Sequence, residues 1–188
     1  MQRNALHALF APENGFTLIE LLVTLALTLT LLGIGIPSLQ SLAAGSRQTA
    51  EINSFVRHLK LARSEAVKSG RDHVLCPSAD LIHCQDGSAW QQGFILFEDV
   101  NEDGERGMDE PLNHINRPTR QIGIDMLSTE GRTHITFRAD GRSAGSNLTL
   151  TFCDLAGAVP PKAVILSNSG RARISPTDPD GNPLSCDG

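Results

Sequence analysis

Apolar and polar positions divide the 188-residue chain into three regimes. From Phe16 to Ile36 there are 21 residues with one charge, Glu20, and no further charge comes before Arg47. At ~1.5 Å rise per residue a helix of that length is about 30 Å long, the thickness of a bilayer's hydrocarbon core, so the stretch predicts a membrane-spanning helix. Thr17, Thr24, Thr28 and Thr30 are tolerable in it because a helical hydroxyl can bond back to a backbone carbonyl. Gly33-Ile34-Gly35-Ile36-Pro37 weakens the helix where it leaves the bilayer. Residues 38–69 then change to an amphipathic period. Ile52, Phe55, Leu59, Ala62 and Ala66 form one stripe, Val56 and Val67 widen it, and Arg47, Arg57, Lys60, Arg63 and Lys68 lie largely off it. Gly70 predicts the C-cap.

After Gly70 the pattern turns to short strands. His73–Cys76, Trp90–Phe97, Thr133–Phe137, Asn147–Cys153, Ala163–Ser167 and Ala172–Ser175 are the clear ones, and Leu112–Ile115 and Gln121–Met126 are weaker. Pro77–Ser88 reads as a polar loop, Asn168-Ser169-Gly170 as a hairpin turn, and the tail after Pro176 as irregular. One long helix followed by an antiparallel sheet is an α+β arrangement.

Glu20 changes the picture of the span. A carboxylate inside an apolar helix costs roughly 2.5–3.5 kcal/mol near its middle and less this close to an end, so it calls for a partner. Its setting, Gly15-Phe16-Thr17-Leu18-Ile19-Glu20-Leu21, resembles the class III signal of type IV pilins and type II secretion pseudopilins. The resemblance implies cleavage by a prepilin peptidase between Gly15 and Phe16, N-methylation of Phe16, and pairing of Glu20 with the N-terminal amine of a neighbouring subunit. Three further stretches resemble the GspH/FimT subfamily of minor pilins and pseudopilins. They are Leu61–Val67, the W-x-x-G-F-x-x-F-x-D-x-N-x-D-G run at 90–104, and the pieces T-F-C-D at 151–154 and G-R-A-R at 170–173. The implied fold is the type IV pilin fold, a long N-terminal helix packed on an antiparallel β-sheet. The implied domains are a leader at 1–15, a transmembrane helix half at 16–37 and a periplasmic or extracellular globular domain at 38–188. The implied partners are other pilins or pseudopilins, the peptidase and the inner membrane, crossed once, with a surface filament formed on assembly at or near its tip.

Composition adds constraints. There is no Tyr and one Trp, so the core must be chiefly aliphatic. A net charge of −5 argues against nonspecific nucleic-acid binding by the chain as a whole. Four cysteines in an exported chain suggest two disulfides, for which three connectivities exist. The favoured one closes a short loop with Cys76–Cys84 and pins the tail with Cys153–Cys186, as C-terminal disulfides do in many pilins. Zinc is disfavoured because Cys153 and Cys186 lack metal-ligand spacing beside Cys76, His83 and Cys84.

Two stretches could carry further chemistry. Asp99, Asn101, Asp103, Gly104 and Glu110 fit D-x-[DN]-x-[DN]-G-x5-E, the calcium-loop pattern. The pattern wants flanking helices, whereas a strand precedes it here, and similar loops are common in the subfamily without implying a metal. The expectation is therefore a solvated turn, with calcium as the alternative. Seven carboxylates lie between Glu98 and Glu110 against Arg106 alone. By contrast Pro111–Ser175 holds eight Lys or Arg and four Asp or Glu. Within it, alternation places Arg171 and Arg173 on one strand face about 7 Å apart, matching successive phosphates along a strand of nucleic acid. The Gly170-Arg171-Ala172-Arg173 motif resembles that of FimT-type pilins that bind DNA in natural transformation, and Arg138, Arg142 and Lys162 would extend the patch. The alternative is a pair of solvated arginines or a contact to another subunit. No interleaved aromatics offer a base-stacking platform. Histidines 7, 58, 73, 83, 114 and 134 form no motif with a nucleophile, and there is no nucleophile elbow, phosphate loop or catalytic carboxylate pair. The chain reads as a filament subunit, not an enzyme, needing no cofactor. Type IV pilus and type II secretion pseudopilus remain alternative machines for it.

Overall fold

A computed structural model of the chain describes residues 15–117, 123–129 and 132–186. Residues 1–14 of the predicted leader lie outside the described residues, as do the first two of the strand predicted from Gln121. Contacts divide the chain after Leu39 into two units.

Helix α1 runs from Leu18 to Ser69. It starts where Thr17 can cap it: the Glu20 amide donates to Thr17 Oγ1 at 3.2 Å, satisfying one of the orphan donors of the first turn. The hydroxyls of Thr24, Thr28 and Thr30 donate to the carbonyls of Leu21, Thr24 and Ala26. Helical assignment continues through Gly33–Pro37, so the weak point read from sequence is not a break. An 18-residue window of α1 has mean hydropathy 2.2, long and apolar enough to cross a membrane. Gly70, at φ +70°, ends the helix, its amide donating to the Ala66 carbonyl.

Beyond Gln40 the chain forms two four-stranded antiparallel sheets, where the sequence suggested one. The first has the order β3-β2-β1-β5, built from Leu112–Asn116, Phe94–Glu98, His73–Pro77 and Ile135–Phe137. The second has the order β4-β6-β7-β8, built from Ile124–Ser128, Leu148–Asp154, Lys162–Leu166 and Ala172–Ser175. β4 pairs with β6, from Ile124 opposite Asp154 to Ser128 opposite Leu150. β5 is only three residues long, and the turns from Arg138 to Ser146 carry the chain from one sheet to the other. The predicted strand at Trp90–Phe97 also starts late. Trp90–Gln92 is a 3-10 turn that buries the indole, and Gly93, at φ +121°, re-aims the chain into β2. A Cβ at Gly93 would press on the carbonyls of Ser78 and Asn116, so only glycine allows that junction.

The α1 stripe meets both sheets in one core. Ile52, Phe55, Leu59, Ala62 and Ala66 are buried with Leu75, Leu96 and Phe137 of the first sheet and Leu150, Phe152 and Val164 of the second. Phe55 stands edge-on to Trp90, Phe94 and Phe152, with ring centroids 5.5–6.1 Å apart. Val67, read as part of the stripe, is instead 55% exposed at the helix end. A second cluster of Val74, Cys76, Ile95 and Phe97 lies under Leu81, Cys84 and Leu112. β1 and β2 are thus buried on both faces, which is why they read as apolar runs instead of alternating. Gln48 and His58 are the buried polar side chains of α1, and Gln48 joins it to the second sheet. The Gln48 Nε2 donates to the carbonyls of Phe152 and Pro160 at 3.1 and 2.9 Å, tying the helix to the end of β6 and the loop after it.

Candidate functional site

Three places collect the candidate residues. At the N-terminus, Gly15, Phe16 and Thr17 precede the helix, and Glu20 lies in its first turn, where a carboxylate is favoured by the helix dipole. Phe16, Leu18 and Ile19 are exposed, as are the large apolar residues onward to Leu42.

The second place is a corner where two turns meet. The β7–β8 hairpin closes through Ser167: its amide donates to the Arg171 carbonyl at 3.0 Å, and the Gly170 amide donates to the Ser167 carbonyl at 2.8 Å. The turn after β5 closes with the Gly141 amide on the Arg138 carbonyl. Both glycines have positive φ, +76° at Gly141 and +73° at Gly170, and they touch: a Cβ added to Gly170 would fall into the Gly141 carbonyl. Ser143 donates its amide to the Asn168 carbonyl, and Arg63 of α1 reaches the Gly170 carbonyl with Nη1 at 3.4 Å. This contact brings Arg142 and Arg171 to one corner. Arg171 closes the turn and β8 begins at Ala172, so Arg173 is the arginine that lies within the strand, opposite Ile165. Arg173 also lines a groove of about 890 Å³ on the second sheet, with Leu127, Thr149 and Leu184 among its walls.

The other two cationic candidates stand apart. Arg138 is held by Asp72, Nη1 to Oδ2 at 2.9 Å. Lys162 opens β7 opposite Phe152, four residues and roughly 13 Å from the hairpin end of that strand. Arg142, Arg171 and Arg173 are exposed and make no ion pair among the described residues. The roles of Arg63 and Asp72 were not visible in sequence. The only hint was the repeat of a turn glycine before an arginine at 141–142 and 170–171.

The third place is the loop between β2 and β3. Glu110, nearly buried, accepts the amides of Val100 at 2.7 Å and Asn101 at 3.5 Å on Oε1 and of Gly107 at 2.9 Å on Oε2. Asp99 is buried, and its Oδ2 accepts the Gly104 amide at 2.9 Å. Asn101 Oδ1 accepts the Asp103 amide, Asp103 Oδ1 accepts the Glu105 amide, and Asn101 Nδ2 donates to Asp103 Oδ2. Arg106 fastens the loop to its neighbour by donating to the Ile82 carbonyl at 2.8 Å.

Two disulfides form in the part of the chain beyond Gln40. Cys76–Cys84 closes the loop over the second cluster, and Cys153–Cys186 ties the tail to β6. Of the histidines, His73 and His58 are core residues. His58 packs between Phe94 and His114, its Nδ1 donates to the Ser54 carbonyl, and burial holds its pKa below the ordinary imidazole value.

Comparison with known proteins identifies the family. The family model for type II transport protein GspH matches residues 51–170, and the model for the prokaryotic N-terminal methylation motif matches residues 11–36. No curated protein matches the chain significantly. Among solved structures, the type IV minor pilin FimU of Pseudomonas aeruginosa shares the fold in two crystal forms. One aligns with TM-score 0.56 and 19% identity over 70% of this chain and 90% of that one, and the other with 0.52 and 17% over 68% and 92%. The minor pseudopilin EpsH from the type 2 secretion system of Vibrio cholerae aligns at 0.46 and 18%, over 68% and 96%. The fold is therefore that of type IV pilins, with a long N-terminal helix on antiparallel sheets. The GspH model spans well over half of the chain and the methylation motif precedes it, so the chain belongs to the GspH family and is a minor pilin or pseudopilin of a type IV pilus or type II secretion filament.

Proposed function

We propose that this protein is a minor subunit anchored in the inner membrane by residues 16–37. It is cut by a prepilin peptidase between Gly15 and Phe16, methylated at the Phe16 amine and assembled through Glu20 at or near a filament tip, with residues 38–188 on the periplasmic side. The observation that carries this reading is the methylation-motif match over residues 11–36 ahead of a helix that starts at Leu18. Processing leaves the new amine at Phe16, one residue before the Thr17 cap and four before the carboxylate it is to meet on a neighbour. Mass spectrometry of the protein purified from a host carrying the peptidase should find a chain beginning at Phe16 with one added methyl. A chain that keeps Gly15 in that host refutes the processing step. Neighbouring genes, pilus or secretion components, distinguish the two machines.

A second reading is supported by the corner at Gly141 and Gly170, which holds Arg142 and Arg171 exposed and without ion-pair partners among the described residues. In this reading the subunit also binds the phosphate backbone of duplex DNA through Arg171 and Arg173, with Arg142 beside them. Arg138 and Lys162 contribute less, the first because of Asp72 and the second because of its distance. The full chain in detergent should shift duplex DNA with an affinity that falls steeply with salt. Arg171→Ala with Arg173→Ala should weaken binding about tenfold or more, since each phosphate contact adds to the electrostatic slope. Binding equal to the parent's would remove the motif as the site.

A further inference from the structure

We propose that the β2–β3 loop, residues 99–110, is a calcium site in which the buried Asp99 supplies the first ligand through Oδ1. Oδ1 is enclosed and makes no hydrogen bond among the described residues, although Oδ2 of the same carboxylate accepts the Gly104 amide. An enclosed carboxylate oxygen without a donor is costly in a native fold and requires an explanation. Its sister oxygen is held on the Gly104 amide, so the Asp99 carboxylate stands against the turn of residues 99–104. A cation at that point would satisfy Oδ1.

The rest of the loop supplies what a hard cation takes. Calcium loops of this length present oxygen ligands from positions one, three, five, seven and twelve around a glycine at position six. Those positions hold Asp99, Asn101, Asp103, the Glu105 carbonyl, Glu110 and Gly104. Gly104 has φ +80°, the sharp turn the loop needs. The Asn101-to-Asp103 and Asp103-to-Glu105 bonds draw the third, fifth and seventh residues into the same turn. The donors at these positions are all oxygens, with neither imidazole nor thiolate among them, which selects calcium over softer transition metals. Asp99's carboxyl is held above the usual range, chiefly by burial and then by the charges of Glu110 and Asp103. A divalent ion beside it would reverse that repulsion.

The site needs one rearrangement. Among the described residues no three acidic, histidine or cysteine side chains converge as they stand. Glu110 is turned onto the amides of Val100, Asn101 and Gly107, and Asp103 onto Asn101. The ion would draw Asp103 and Glu110 from these partners, so affinity should be modest, in the range of roughly 10⁻⁴–10⁻³ M seen for extracellular calcium modules. Strands flank the loop, so binding stiffens a hairpin and opens no helix pair.

The test is calorimetric titration of the chelator-treated full chain, in detergent, with calcium chloride and separately with magnesium chloride. Saturable calcium binding is expected, with magnesium weaker. Asp99→Asn keeps the shape and an acceptor for Gly104, and should weaken calcium by at least about tenfold. Asp103→Asn, on the exposed part of the loop, should do the same and covers the case in which the Asp99 variant fails to fold. Absence of saturable binding by the parent up to about 10 mM calcium, ten times the weak end of that range, overturns the site. So does binding that both folded variants retain.

Discussion

Gly170→Ala is expected to cost the globular domain about 4 kcal/mol or more, a loss of the size reserved for a few defined lesions. Two penalties combine. At φ +73° a Cβ meets the neighbouring carbonyl, about 1–2 kcal/mol for an L-residue in the left-handed region. The new methyl would also fall into the Gly141 carbonyl, a backbone atom that no side-chain rotation can clear. The Gly141 turn cannot retreat readily, because Val67 and Arg63 stand against it on the helix side. The hairpin turn is anchored in the same way by the Ser143 amide on Asn168 and by Arg63 on Gly170 itself. For a domain of this size the loss corresponds to a fall in Tm of roughly 8–15 °C, measured by circular dichroism on the full chain in detergent. Gly157→Ala is the internal control. It has φ +66° but open space around the added methyl, so it should carry the backbone penalty of about 1–2 kcal/mol alone. If the two variants melt together, the close approach of the two turns is absent. The comparison also bears on the proposed DNA site, because the glycine of G-R-A-R is held here by packing, whereas Arg171 and Arg173 project from the resulting frame.

The parts of the fold that were legible share a cause. α1, β5 and β6 announce themselves by period, because each turns a face to a common core, the helix through Ile52, Phe55, Leu59, Ala62 and Ala66 and β6 through Leu148, Leu150 and Phe152, whereas β1 and β2, buried on both faces, read as apolar runs. The misread places are those where tertiary contacts override local pattern. Trp90 reads as the first residue of a strand but is drawn under Phe55 on a 3-10 turn, and the strand can start only after Gly93. The division into two sheets depends on β4 pairing with β6 across more than twenty residues, which no local feature announces. In the candidate sites, residue types were visible but their partners were not. Arg138 reads like Arg142 in sequence, but Asp72, 66 positions earlier, holds it in the fold. Glu110 completed a calcium pattern as text, whereas the fold turns it inward onto three amides and leaves Asp99 with the unpartnered oxygen.

Glu20→Ala should leave the protein in the membrane and remove it from the filament. Insertion depends on the apolar length of the helix, and alanine at this position removes the one charge that opposes it. The helix start also survives, because the Thr17 cap accepts from the backbone amide of residue 20 and not from its side chain. What the substitution takes away is the carboxylate proposed to meet the methylated amine of Phe16 on an adjacent subunit. In a water-excluded filament core, truncating one member of such a pair costs about 2–5 kcal/mol, because the amine is left charged and unpartnered. A cost of that size means a fall in incorporation of at least about thirtyfold at fixed subunit supply. Immunoblots of sheared filaments against washed membranes read both terms at once. Glu20→Gln sharpens the result: it keeps length and polarity but not charge, so it should fail nearly as fully as alanine if the ion pair is what assembles the subunit. Normal incorporation of Glu20→Gln with failure of Glu20→Ala would assign the effect to hydrogen bonding or shape, and normal incorporation of both would leave Glu20 with no role in assembly.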